Sequence, residues 1–135
     1  MPEQGSARDL AIYRLERAAQ CLNSARLLFD AGDYKSSANR SYYCIFHCMR
    51  AVLATILFDS KKHSGIIAAF RKDFIKSGIF DVKYSSIIGS AFDLRGSSDY
   101  DDFYVVARSD VSEQIENAAD FLQAVSDYLN SSPNS

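Results

Sequence analysis

Between Pro2 and Pro133 the chain has no proline, so nothing of that kind interrupts the long helical periodicities that fill it. It also lacks any apolar run near the roughly 20 residues a bilayer-crossing helix needs. The opening stretch, MPEQGSARDL, has no apolar segment of the secretory type, and a cytoplasmic protein without membrane association is expected. Cysteine is scarce: Cys21, Cys44 and Cys48 are odd in number and follow no disulfide-framework spacing, so they read as small buried residues of a reducing compartment. Net charge is nearly absent as well, at -2 with a pI near 5.6, which argues against a protein that coats duplex DNA.

What is present is enough for a core. With 47% hydrophobic and 13% aromatic residues in 135, the chain is one ordered domain. The small net charge hides a segregation: residues 34–95 hold 10 basic and 4 acidic groups, whereas 96–135 hold 1 and 8. A basic middle precedes an acidic end.

The periodicities predict an all-α, up-and-down bundle of about five helices. A first helix capped by Ser6 runs to about Phe29 through Leu15, Ala18, Leu22 and Ala25, and Ala31-Gly32-Asp33 ends it. A second spans about Tyr34 to Phe58. It sets Tyr42, Ile45, Phe46, Met49, Val52, Leu53 and Ile56 on one broad face, with the small side chains Cys44, Cys48, Ala51 and Thr55 on the other. This is the expected central helix. After the polar turn Ser60-Lys61-Lys62, Ser64 caps a third helix through Phe70, Phe74 and Ile75, stopped by Gly78. A fourth segment, 81 to 95, carries Ile87, Ile88, Ala91 and Leu94, with Gly96 as its stop and an irregular acidic loop after it. Asp110 and Glu113 resemble a capping box for the last helix, whose inner positions are Val111, Ile115, Ala118, Ala119, Leu122, Val125 and Leu129. The expected layout is an N-terminal extension at 1–6, a helical domain at 7–129 and a frayed tail at 130–135.

Three groups of residues bear on chemistry. On the second helix Arg40, Tyr43, His47 and Arg50 fall within about 80° of one another at 100° per residue, a stripe suited to a phosphate or an RNA backbone. The same pattern is what a solvated or interface-lining helix edge shows. Cys44, His47 and Cys48 lie close on that helix, but with His63 the only further ligand that is not a carboxylate they do not make a zinc site, and no metal site is assigned. His63 itself, at a helix start, is expected to cap or pack locally. The stretch Arg95-Gly-Ser-Ser-Asp99-Tyr100-Asp101-Asp102-Phe103-Tyr104 combines an arginine, three carboxylates and three aromatics. Arg95 and Tyr100 suit phosphate and base contacts, while Asp99 either anchors Arg95 or helps hold Mg2+ against a nucleotide. No resident cofactor is expected; a nucleotide, with or without Mg2+, is the candidate small ligand. No phosphate-binding loop, dinucleotide fingerprint or Ser-His-Asp arrangement occurs.

The order of these signals resembles the HEPN domain family. It comprises Ala-Gly-Asp-Tyr before the run Ala38-Asn-Arg40-Ser-Tyr42-Tyr43-Cys-Ile-Phe46-His47-Cys-Met-Arg50-Ala51, then Lys62-His63-Ser-Gly65, Arg95-x-x-x-Asp99-Tyr100, and a last helix with Ala118 and Phe121. The resemblance implies a five-helix bundle with its first two helices long and antiparallel. It also implies a homodimer and a nucleotide-binding or RNA-directed module of prokaryotic toxin-antitoxin or defence systems, partnered by a minimal nucleotidyltransferase.

Ribonucleases of the family carry Arg-x4-6-His at the end of the fourth helix and cleave RNA without metal. Arg95 matches the arginine, but Tyr100, Asp101 and Asp102 stand where the histidine belongs. The tyrosine that some family toxins have adenylylated two residues later is matched by Asp102 at the shortest gap and by Tyr104 at the longest. The expected function is therefore a non-catalytic module that binds a nucleotide, an RNA or a nucleotidyltransferase partner through Arg40, Tyr43, His47, Arg50, Arg95, Asp99 and Tyr100. The alternatives are a ribonuclease toxin in which His47 or His63 replaces the missing base, and a ligand-free helical interaction protein. If the acidic loop folds over the basic stripe, a small anion or a protein fits better than a long RNA.

Overall fold

The computed structural model describes residues 2–100 and 105–131, and the side chains of 6–97 and 105–131. Its elements are α1 (Pro2–Asp30), α2 (Tyr34–Ala54), α3 (His63–Phe70) running on into a π-helical turn (Arg71–Ile75), α4 (Lys83–Tyr100) and α5 (Arg108–Ser131). Among the described residues there is no strand, and the all-α bundle stands.

Helix α2 is the hub. Its face of Tyr42, Ile45, Met49, Val52 and Leu53 is buried, as the periodicity predicts, and α1, α3, α4 and α5 all pack on it. The small residues do what their size allows: Ala18, Cys21, Leu22 and Ala25 of α1 meet the side of α2 that carries Ser37, Ala38, Cys44, Cys48 and Ala51, all buried. The two backbones come close enough for Ser37 Oγ to donate to the Ala25 carbonyl at 2.7 Å. The pair is antiparallel, since Arg40 lies by Cys21 while Arg14 Nη1 donates to the Arg50 carbonyl at 3.1 Å. Below α3 and α4, the rings of Phe70, Phe74, Phe80, Tyr84, Phe121 and Tyr128 fill the other end of the core in tilted and edge-on pairs. Buried Gln114 pins α5 to α2, its Nε2 donating to the Ala38 carbonyl at 3.0 Å and to Ser41 Oγ at 2.6 Å.

Several element ends differ from expectation, each for a local reason. Helix α1 already runs from Pro2, a residue that suits a first helical turn, so Ser6 is interior to the helix and is not its N-cap. Its end is as predicted: Gly32 adopts φ +83°, and the Asp33 N–H returns to the Leu28 carbonyl at 2.9 Å. Asp33 then caps α2 through the Ser36 N–H at 3.1 Å.

Helix α2 stops at Ala54 and not near Phe58, because Leu57 turns left-handed at φ +60° and the Phe58 N–H bonds back to Leu53. This leaves Ile56 exposed instead of inward. Ser64 does not cap α3, which begins at His63; Ser60 Oγ accepts the Lys62 N–H at 3.2 Å just before it. Gly78, at φ +88°, ends the third helical region as expected, but by way of a π turn in which the Lys76 N–H reaches the Arg71 carbonyl at 2.8 Å. Gly96 is no stop: α4 runs through it to Tyr100, so Ser97–Tyr100 are helical and not loop. Asp110 lies inside the first turn of α5, where an acid favours the helix dipole, and the Ala107 carbonyl accepts the first N–H groups.

Candidate functional site

The site forms where three elements that are distant in sequence meet over one stripe of α2. Tyr42, Phe46 and Arg50 are spaced by four along that helix, so their side chains stack one turn apart on a single line. His63, the first residue of α3, is laid over the middle of this line: its ring stacks on Phe46 with centroids 4.1 Å apart, and its Nδ1 shares a 2.7 Å hydrogen bond with Tyr42 Oη. That bond fixes one ring nitrogen, so the imidazole has a defined orientation.

From α4, Arg95 reaches the same rings. Its guanidinium carbon lies 5.2 Å from the Tyr42 ring centre and 5.5 Å from that of Tyr43, and Nη2 donates to Tyr43 Oη at 3.3 Å. Because α4 continues past Gly96, Arg95 is held on a helix and not on a loose end. Phe92, three residues earlier on α4, faces the Tyr42 ring at 6.2 Å and remains 38% exposed. On the far side of Tyr43 stands Arg40, its guanidinium 5.0 Å from the ring centre and bound to Asn39 Oδ1 at 2.8 and 3.1 Å. Burial lowers the pKa of His63, and the charges of Arg95 and Arg50 lower it further, so this imidazole is neutral at physiological pH.

The predicted stripe is thus divided. Arg40 and Arg95 both lie against the Tyr43 ring. Arg50 goes elsewhere: its Nη2 holds Asp59 at 2.9 Å, and Arg14 Nη2 reaches the same carboxylate oxygen at 3.3 Å. The burial of Asp59 raises its pKa, but the hydrogen bonds from Arg50 and the Ser60 N–H and the two arginine charges outweigh it, and the net shift is downward. His47 packs beside the Tyr43 and Phe46 rings, 6.0 Å from each centre. Burial, with the fields of Arg17, Arg50, Arg40 and Arg14, lowers its pKa to about 4, and its buried Nδ1 has no hydrogen-bond partner.

Cys44 and Cys48 face the interior, where burial pushes the Cys48 thiol pKa well upward. Among the described residues no group of three or more such side chains is placed to hold a metal ion. Of the residues after Arg95, Asp99 and Tyr100 end α4 with side chains outside the described set, and Asp101, Asp102, Phe103 and Tyr104 lie outside the described residues altogether.

Sequence reasoning missed the cross-helix role of His63. It expected a local contact; the tertiary fold instead ties the ring to Tyr42 and Phe46 and places it under the charge of Arg95. No spacing rule connects residues 21 and 32 positions apart. The only available sign was that Lys62-His63-Ser-Gly65 belongs to the resembled pattern.

The profile of the HEPN domain matches residues 11–128. This chain belongs to the HEPN domain family. The HEPN domain is 31% identical over 115 residues to a Methanocaldococcus jannaschii protein named "Putative toxin MJ0142", covering 85% of this chain and 78% of that one. It is 32% identical over 113 residues to a Thermotoga maritima protein named "UPF0332 protein", covering 84% of this chain and 86% of that one. A second M. jannaschii protein, named "Putative toxin MJ0605", is 36% identical over 86 residues, 64% of each chain. Relatives of this HEPN domain therefore carry toxin names. Among the described residues, no helix is long and apolar enough to cross a membrane.

Proposed function

We propose that this HEPN domain is the phosphate-binding component of a toxin-antitoxin or defence-type pair, taking a nucleotide or an RNA end into the cluster of Arg95, Tyr43 and His63. The observation that carries this reading is Arg95, set over the Tyr42 and Tyr43 rings that His63 also touches. A guanidinium supplies paired donors for phosphate oxygens. Tyr43 and the exposed Phe92 supply polar and aromatic contacts for the sugar and base. The toxin names of the relatives supply the biological setting. In this setting a minimal nucleotidyltransferase is the partner protein and the HEPN domain is a homodimer, and co-purification of a tagged pair with light scattering tests both. Calorimetry with ATP, GTP and short RNAs tests the site. Binding that is lost on Arg95→Ala in a folded protein supports the proposal, and no binding at millimolar ligand refutes it.

A second reading, metal-independent RNA cleavage, is favoured by His63 in particular. With Nδ1–H donating to Tyr42 Oη, Nε2 of the neutral imidazole would accept the 2′-hydroxyl proton as that oxygen attacks phosphorus; the 5′-oxygen would leave with a proton from solvent, and Arg95 would offset the developing charge. Incubation of RNA with wild type, His63→Gln and Arg95→Ala decides it. Cleavage by wild type alone supports an enzyme, and RNA left equally intact by all three leaves only the binding role.

A further inference from the structure

Beside the Arg95 cluster, α3 and α4 part to leave a cleft of about 440 Å³. Ser64, Ile67 and Arg71 line one wall, spaced so that they share a face of α3 and its π turn, and Gly89, Phe92 and Asp93 of α4 line the other. Phe92 belongs to both places, since its ring faces Tyr42 under Arg95 and also borders the cleft. Gly89 is what admits Arg71. A Cβ there would lie 3.1 Å from Arg71 Nη2, so the missing side chain lets the guanidinium rest against α4, where Nη2 donates to the Ser85 carbonyl at 2.9 Å. That bond fixes the guanidinium without exhausting its donors, and Nε is buried with no hydrogen-bond partner. Asp93, exposed on the opposite wall, is in no ion pair among the described residues. An anchored guanidinium and a carboxylate thus line one slot whose apolar surfaces are Phe92 and Ile67.

We infer that the α3–α4 cleft is a base-specificity pocket, and that the nucleotide held by its phosphate at Arg95 is a guanine nucleotide. The inference rests on the phosphate reading of the Arg95 cluster and adds the identity of the base. Arg95 and Gly89 are six residues apart on α4, about 9 Å along its axis, with Phe92 midway, so a phosphate at the first and a base at the second belong to one nucleotide. Guanine is the base whose groups match the two walls. Its O6 and N7 accept from a guanidinium, its N1–H and 2-amino group donate to a carboxylate, and its ring stacks on Phe92. Adenine sets its 6-amino donor against the arginine, where guanine sets O6, and a lone-pair nitrogen against the aspartate. Cytosine offers both kinds of group, but on a single ring that leaves more of the cleft unfilled.

The test is calorimetry with GMP, AMP, CMP and xanthosine monophosphate, which carries a carbonyl in place of the 2-amino group, on wild type, Asp93→Asn, Gly89→Ala and Arg95→Ala. Asp93 is exposed, and alanine suits a helix better than glycine, so both cleft variants remain folded, which circular dichroism checks. Expected is GMP bound by wild type at least about tenfold more tightly than AMP or CMP. In Asp93→Asn the side-chain amide donates to the xanthine carbonyl, so the preference should pass from GMP to xanthosine monophosphate, a reversal that a merely structural role does not produce. Gly89→Ala displaces Arg71 and should weaken GMP by about threefold to tenfold while AMP changes by less than about twofold. Tetranucleotide RNAs with one terminal guanosine, if bound more tightly than GMP, identify an RNA end as the source of the base, and if bound more weakly identify the free nucleotide; either outcome supports the pocket. CMP bound more tightly than GMP overturns guanine. If all four mononucleotides bind alike and all are lost in Arg95→Ala, the base pocket is wrong and the phosphate reading stands. If wild type binds none of them at millimolar concentration, both fail.

Discussion

Protonating His47 should weaken the fold, and the structure sets both the sign and the size. In the folded protein its pKa is lowered to about 4 by burial and by the surrounding arginines, whereas an unfolded histidine titrates near 6.5. The depressed value means that the unfolded chain binds the proton more readily. Stability is therefore at its full value above about pH 6.5 and is lost as the pH falls toward 4. By linkage the loss at pH 5 relative to pH 7.5 is at most about 2 kcal/mol; because the ring is only partly buried, solvent screening reduces this to about 1 kcal/mol. His47→Leu removes the titration and the unpaired Nδ1 together. Urea denaturation followed by circular dichroism at pH 7.5 and pH 5 should show wild type losing about 1 kcal/mol more than the variant between the two conditions. The difference should shrink in 1 M salt, where the Debye length is about 3 Å. His63 shifts in the same direction but is present in both proteins, and Asp59 titrates below this window, so the double difference isolates His47. Parallel pH profiles for wild type and His47→Leu would refute the argument that the arginine field and burial hold this imidazole neutral.

Leu57→Gly should stabilise the domain by about 1 kcal/mol in thermal or urea unfolding, because a left-handed φ of +60° strains leucine and its 82% exposed side chain has little packing to lose. Gln114→Ala should cost about 2 kcal/mol, since the Ala38 carbonyl and Ser41 hydroxyl lose a buried donor; an unchanged urea midpoint would mean that water replaces it. Gly65→Ala would set a Cβ 2.5 Å from Ser60 Oγ and 3.1 Å from its Cβ, so the loop must shift. That should cost about 1 to 2 kcal/mol, readable as a lowered urea midpoint.

The five helices and their buried faces could be read from the chain alone, because an amphipathic period is a local property and α2, the most apolar of the long patterns, had to be central. The same holds for Gly32 and Gly78, whose left-handed φ only glycine takes easily. Gly96 carried the same letter and no such requirement, so the helix passed through it and brought Arg95 onto a rigid element. Leu57 is the converse: a leucine takes a turn conformation that its side chain disfavours, so the end of α2 had no sign in the sequence. The stripe of Arg40, Tyr43, His47 and Arg50 followed from helical geometry, but its division did not. Whether an arginine turns to a tyrosine, as Arg40 does, or to a distant aspartate, as Arg50 does, depends on which loop and helix arrive beside it. The meeting of His63 with Arg95 over Tyr42 is of the same kind. Backbone periodicity is encoded in each segment by itself, whereas a site made from three segments exists only after packing has set their separations and angles.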